Sequence, residues 1–154
     1  SKEDLYKLFM LNVGVAVEIN RLVAPDMTER GHGNLVHVGS IASTEATGSV
    51  GYNTVKAALA AYVRSLGREM ACSGVVVTGI LPGGFYAPEN AMARLEKTKP
   101  EIYKQFIKER LPRKFMGKAE ELIPMIQLLC SDYASMMSGC LVPIDAGEGL
   151  SYVL

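Results

Sequence analysis

Seven consecutive residues, Val75-Val76-Val77-Thr78-Gly79-Ile80-Leu81, constrain the fold more than any other stretch of this chain. They are apolar or β-branched almost without a break, they follow the helix-breaking Gly74, and Pro82-Gly83-Gly84 stops them. A run of this kind is a strand covered on both faces rather than one with a wet side. Leu35-Val36-His37-Val38-Gly39-Ser40 has the same character, as does a last short strand over residues 140–145. Between them lie helical patterns over residues 2–29, 51–71 and 118–130, the last with Pro124 expected to kink it. Strands alternating with helices predict a single α/β domain around a parallel sheet.

The helix over residues 2–29 is apolar nearly all round. Leu5, Leu8, Leu11, Val15, Ile19, Leu22 and Val23 form one stripe, and Phe9, Met10, Val13 and Val17 make the other side apolar too. It is therefore expected to be buried, under its own sheet on one side and another subunit on the other. Its apolar run 8–23 is interrupted by Asn12, Glu18 and Asn20 and falls short of the ~20 residues of a membrane span. Ser1 to Lys7 is charged and amphipathic, unlike a signal peptide. In the helix over 51–71, Val55, Leu59, Tyr62, Val63 and Leu66 share a stripe, while Ala57, Ala58, Ala60 and Ala61 keep the other surface thin.

Sixteen basic and sixteen acidic residues cancel, which argues against nucleic acid or an anionic membrane as a partner. Cys72, Cys130 and Cys140 are far apart and odd in number, so we expect three small buried residues, no disulfide and no metal site. That composition suits a reducing, cytoplasmic setting.

In parallel sheets ligands gather beyond the carboxyl ends of the strands. Ser40 ends the first strand, Pro82-Gly83 ends the second, and Tyr52 opens the helix between them. Lys56 lies four residues after Tyr52, on the same helical face. An ammonium beside a phenol stabilises the phenolate, so Tyr52 can exchange a proton with a carbonyl or alcohol oxygen. The Ser40 hydroxyl can hydrogen-bond that oxygen. Asn12, an amide in an apolar helix, needs a partner, such as a water leading to Lys56. No residue supplies a hydride, so a cofactor must. His32 and His37 lack companions at ligand spacing, and Asp145-Ala146-Gly147 reads as a turn.

Together these segments resemble the short-chain dehydrogenase/reductase family in its compact, single-domain form. Asn12-Val13-x-Val15 resembles its asparagine segment, residues 33–43 its strand with the active-site serine, and Tyr52-x-x-x-Lys56-Ala57-Ala58-Leu59 its catalytic helix. Gly79-Ile80-Leu81-Pro82-Gly83-Gly84 is similar to the strand and turn that meet the nicotinamide, and residues 138–147 to the closing strand. The resemblance implies a Rossmann-like α/β fold over residues 1–154 and an NAD- or NADP-dependent interconversion of a carbonyl and an alcohol. It makes Tyr52 the acid/base, Ser40 the group that orients the carbonyl, and Asn12 the holder of a relay water. Tyr52, Lys56, Pro82, Gly83 and Phe85 would border the cofactor, and residues 85–116 would form a substrate lid. A tetramer or dimer through helices 2–29 and 51–71 is also implied.

The chain departs from the family in one large respect. It carries neither the Gly-x-x-x-Gly-x-Gly turn that receives the cofactor pyrophosphate nor the Asn-Asn-Ala-Gly strand. It begins where the family's fourth helix-sized segment would, so the N-terminal βαβ half is missing. We expect the sequence to be the retained part of a longer chain, rather than a natural remnant or a partner to a second chain that supplies the strands. Ala87 stands where a threonine usually follows the Pro-Gly turn, and Thr78 where asparagine is frequent. A truncated, non-catalytic oligomerisation or binding module is the alternative reading. A sugar-nucleotide epimerase or dehydratase of the extended branch fits less well, because no large substrate domain follows the last strand.

Overall fold

The computed structural model describes residues 1–152. The first helical segment, α1 (Lys2–Phe9), starts at Ser1, whose hydroxyl oxygen accepts from the Asp4 N–H at 3.2 Å. A single wide π turn, Met10–Gly14, passes it into α2 (Val15–Glu29) without a break. Then follow β1 (Gly33–Val38), α3 (Val50–Met70) and β2 (Val75–Pro82). A short excursion comprises β3 (Phe85–Tyr86), α4 (Ala91–Thr98), α5 (Pro100–Arg110) and β4 (Gly117–Lys118). The described chain closes with α6 (Ile123–Leu129) and β5 (Leu141–Ile144).

The sheet has the order β1-β2-β5, and both pairings are parallel. Gly33 lies opposite Val75 and Val38 opposite Ile80, while Gly79 to Pro82 run beside Leu141 to Ile144. On one face Leu35, Val75 and Val77 pack with Val13, Leu59 and Val63 from the long helices. On the other, Ile80 packs with Leu122, Leu129 and Ala134. Two-sided cover explains why β2 is apolar without alternation. This is the parallel α/β arrangement that the strand-helix alternation predicts, and the Rossmann-like fold that the resemblance implies. β1 is an edge strand, with no neighbour on its outer side among the described residues, and Val38 at its end is 53% exposed.

Three expectations need correction, and a fourth is met on one side. Within this chain only one side of the long helix docks: Val13, Ala16, Asn20, Val23 and Met27 meet the core, while Leu11, Ile19 and Leu22 of the conspicuous stripe are 72%, 52% and 60% exposed. A sequence apolar all round does not say which side will dock. Residues Lys2–Glu29 are, by length and composition, long and apolar enough to cross a membrane. Cys72 and Cys130 are exposed, because each lies at a helix end beyond the packed stripe, and all three cysteines are free. Finally, Pro124 does not kink a helix. Ala119–Leu122 is a 3-10 turn, and Pro124 sits in the first turn of α6, where its missing N–H costs nothing.

One polar cluster crosses the first core. The Asn20 side-chain amide donates to the Tyr62 hydroxyl at 3.1 Å and lies 2.9 Å from His37 Nε2. His37 Nδ1 lies 3.1 Å from the Thr78 carbonyl oxygen. A carbonyl only accepts, so Nδ1 carries the proton and Nε2 accepts from Asn20, which makes the ring neutral. Burial holds His37 below the usual histidine range. A charged ring would set two donors against each other at Nε2. The unfolded chain therefore takes up a proton at a higher pH than the folded one, and stability falls as pH drops through about 6.5, levelling below the folded value. The unfolding midpoint is expected to drop between about pH 7.5 and 5.5, and His37→Gln should flatten that slope. Thermal melts across this range check it.

Candidate active site

β1 delivers the first site residue. Just past it, the Gly39 N–H donates to the Ile80 carbonyl at 2.8 Å, so the chain leaves the strand still fastened to β2. Ser40 follows in extended conformation (φ −169°, ψ 154°) and caps the short turn Ile41–Ser43, its Oγ accepting from the Ala42 N–H at 3.1 Å. That bond uses a lone pair and leaves the hydroxyl hydrogen as a donor.

Helix α3 delivers the next two. Ser49 caps it, accepting from the Tyr52 N–H at 3.3 Å. Asn53 clamps the preceding loop twice, accepting from the Gly48 N–H at 2.9 Å and donating to the Glu45 carbonyl at 2.5 Å. Tyr52 is half-buried, and the Lys56 Nζ lies 5.7 Å from its ring centroid. The same Nζ donates to the Val38 carbonyl oxygen at 3.3 Å, which joins the end of β1 to the helix. Burial holds the Lys56 ammonium below the usual lysine range. With one of its three donors used on Val38, the others remain for a ligand.

Asn12 lies in the wide turn Met10–Gly14, the irregular kind of turn that often marks a functional position. Its amide nitrogen donates back to the Leu8 carbonyl at 2.9 Å, which leaves Oδ1 as an acceptor. Asn12 and Val38 line one cavity of about 260 Å³ together with Asn20 and His37. The structure thus brings Asn12 to the neighbourhood of the carbonyl that holds Lys56.

Pro82 ends β2 opposite Ile144, and the Gly83 N–H donates to the Ile144 carbonyl at 3.1 Å. A Cβ on Gly83 would sit 2.7 Å from Glu148 Oε2 and 2.9 Å from the Asp145 Cα, so only glycine fits this turn. Phe85 pairs with Gly117 across β3 and β4, which closes the base of the excursion 85–116. With Leu111, Arg113 and Asp145, Phe85 lines a second cavity of about 420 Å³. All the candidate residues except Asn12 thus follow the carboxyl ends of β1 and β2 or open α3.

Three carboxylates stand around this edge, and sequence reasoning missed two of them, Glu45 and Glu148. Asp145 does form a turn, its two oxygens accepting from the Gly147 and Gly149 N–H groups at 3.0 and 2.9 Å. Glu45 Oε1 accepts from the Leu150 and Ser151 N–H groups at 2.5 and 2.8 Å, which ties the loop before Tyr52 to the C-terminal stretch. Glu148 accepts from the Gly84 N–H at 2.5 Å. No spacing in the sequence links partners more than 60 residues apart.

Residues 1–148 match the family model described as enoyl-(acyl carrier protein) reductase. Among curated proteins, mouse dehydrogenase/reductase SDR family member 4 is 30% identical over 142 residues, 92% of this chain and 50% of the relative. The 3-oxoacyl-[acyl-carrier-protein] reductase of Pseudomonas aeruginosa is 25% identical over 150 residues, 97% of this chain and 58% of the relative. The chain spans about half the length of the curated relatives it matches. Of solved structures, levodione reductase superposes with a TM-score of 0.89 at 28% identity, covering 99% of this chain and 60% of that one. L-sorbose reductase from Gluconobacter frateurii, in complex with NADPH and L-sorbose, gives 0.85 at 27%, covering 100% and 60%. With the matched family model, the shared fold and the relatives agreeing, the chain belongs to the short-chain dehydrogenase/reductase family.

Proposed function

We propose that the protein is an NAD(P)-dependent oxidoreductase that interconverts a ketone, such as a 3-oxoacyl compound, and its alcohol. The observation that carries this reading is the placement of the Lys56 ammonium beside the Tyr52 ring, with its second hold on the carboxyl end of β1. Tyr52 gives a proton to the substrate oxygen in reduction and takes one in oxidation. Lys56 sets its positive charge beside the Tyr52 ring. Ser40 donates its hydroxyl hydrogen to the same oxygen and helps stabilise the charge that develops there. Asn12 offers Oδ1 to a water on the path from Lys56 to solvent.

The donor set fits a nicotinamide nucleoside: Lys56 uses one N–H on Val38 and keeps donors for ribose hydroxyls. Such a group supplies the hydride that these residues cannot. Lys56, Tyr52, Pro82, Gly83 and Phe85 would hold it. NADPH in the related L-sorbose reductase supports that cofactor class. Residues 85–116 are the substrate lid. The exposed apolar residues of α2 support a homo-oligomer through that helix and α3, dimer or tetramer, in the cytoplasm.

A second reading, a non-catalytic oligomerisation or binding module, draws on the unpaired outer edge of β1. Thermal shift separates the two. On the first reading NADH or NADPH at about 100 times its Kd raises stability by about 2.7 kcal/mol. No shift with either at millimolar concentration would favour the module.

A further inference from the structure

Glu148 is an acid in a dry place, its side chain 4% exposed. The Asp145 turn carries it back over the end of β2, where its Oε2 accepts from the Gly84 N–H at 2.5 Å. Its Oε1 faces the guanidinium of Arg110, the last residue of α5, with one nitrogen at 3.7 Å. That nitrogen is buried and has no hydrogen-bond partner among the described residues. One carboxylate therefore links the turn after β2 to the foot of the lid, and only the first of its two contacts is complete.

The incomplete contact has a direction. Charge-assisted N–H···O bonds close at about 2.7–2.9 Å, so the foot of α5 must move in by roughly 1 Å. A buried donor without an acceptor costs free energy, and the approach would recover it. The same movement draws α4 and α5 toward the turn 82–84. We propose that Glu148 is a positioning residue that couples this turn to the lid, its bond to Arg110 closing as the lid settles. What the lid settles on rests on the reductase reading; the coupling itself does not.

The test compares the intact protein with Glu148→Gln, Arg110→Gln and the double variant. Glu148→Gln keeps an acceptor for the Gly84 N–H and drops the charge, while Arg110→Gln drops the partner charge. Tryptic cleavage after Arg94 and Lys97 in the ligand-free protein reads the lid directly. Each single variant should raise that cleavage about ten-fold, and the double variant no further than either alone. With NADPH and ethyl acetoacetate as probes, the KM for the ketone should rise more than kcat falls. Unchanged cleavage in both single variants, or multiplied effects in the double one, would overturn the coupling. Should Glu148→Gln fail to fold, Arg110→Gln at its partly exposed site decides alone. Cleavage is read whether or not the protein turns over a ketone, so a failed reductase reading stays distinct from a failed coupling.

Discussion

Tyr52→Phe is expected to lower kcat/KM for ketone reduction by roughly 10³-fold, within the range that a positioned proton donor contributes. The change removes one oxygen and leaves the ring where it is. The fold holds Tyr52 through its backbone N–H on Ser49, and none of the hydrogen bonds among the described residues uses its hydroxyl. Stability should therefore change by less than about 1 kcal/mol, the net worth of a typical hydrogen bond. NAD(P)H oxidation rates and a thermal melt on the same preparation separate the two effects. A loss of rate with an unchanged melt supports proton transfer at Tyr52. Activity that survives the change means the proposed mechanism is wrong, whatever the family likeness.

Gly67→Ala should destabilise the protein by about 3 kcal/mol, the scale of overpacking plus strained hydrogen bonds. The sign is what makes this informative, since glycine to alanine inside a helix ordinarily gains about 1 kcal/mol. Here α3 crosses the approach to β5 backbone to backbone. A Cβ on Gly67 would meet the Gly139 Cα at 2.6 Å and the Ser138 carbonyl carbon at 3.2 Å, and would press on the Gly139 nitrogen. Three bonds hold that crossing: Ser138 Oγ to the Gly67 carbonyl at 2.9 Å, Arg64 to the Gly139 carbonyl at 3.3 Å, and the Gly139 N–H to the Val77 carbonyl at 2.7 Å. None yields without moving the helix off β2. Urea denaturation measures the change, and a gain in stability would mean that α3 does not cross at this distance.

The elements that sequence reading located well are those whose local pattern has one solution. β2 is apolar on both faces because both are covered, and α3 buries Val55, Leu59 and Val63 along the stripe that its spacing predicts. The docking face of α2 was hidden for the opposite reason: its sides are nearly equal in hydrophobicity, and the deciding residues are the polar Asn20 and the small Ala16. Tyr52 and Lys56 were legible because four residues of helix fix their juxtaposition. Glu148 and Glu45 were not, because each acts on backbone N–H groups far away in sequence, and a backbone amide has no signature. Asn12 is half-buried, and its amide nitrogen finds a partner in the Leu8 carbonyl of its own helix.

The wide turn Met10–Gly14 acts as a phase shift between two meshing parts. On its N-terminal side, Leu5 and Leu8 approach Gly51 at the start of α3, with Leu8 Cδ2 3.3 Å from where a Cβ on that glycine would stand. On its C-terminal side, Val13, Ala16 and Asn20 engage the core beside β1. A regular helix turns about 100° per residue, so one residue fewer in that turn would swing α1 away from α3 while α2 stayed seated. The surplus residue is thus the spacer that lets a single rod satisfy two docking angles, and Asn12, lodged within it, inherits its position from that mismatch.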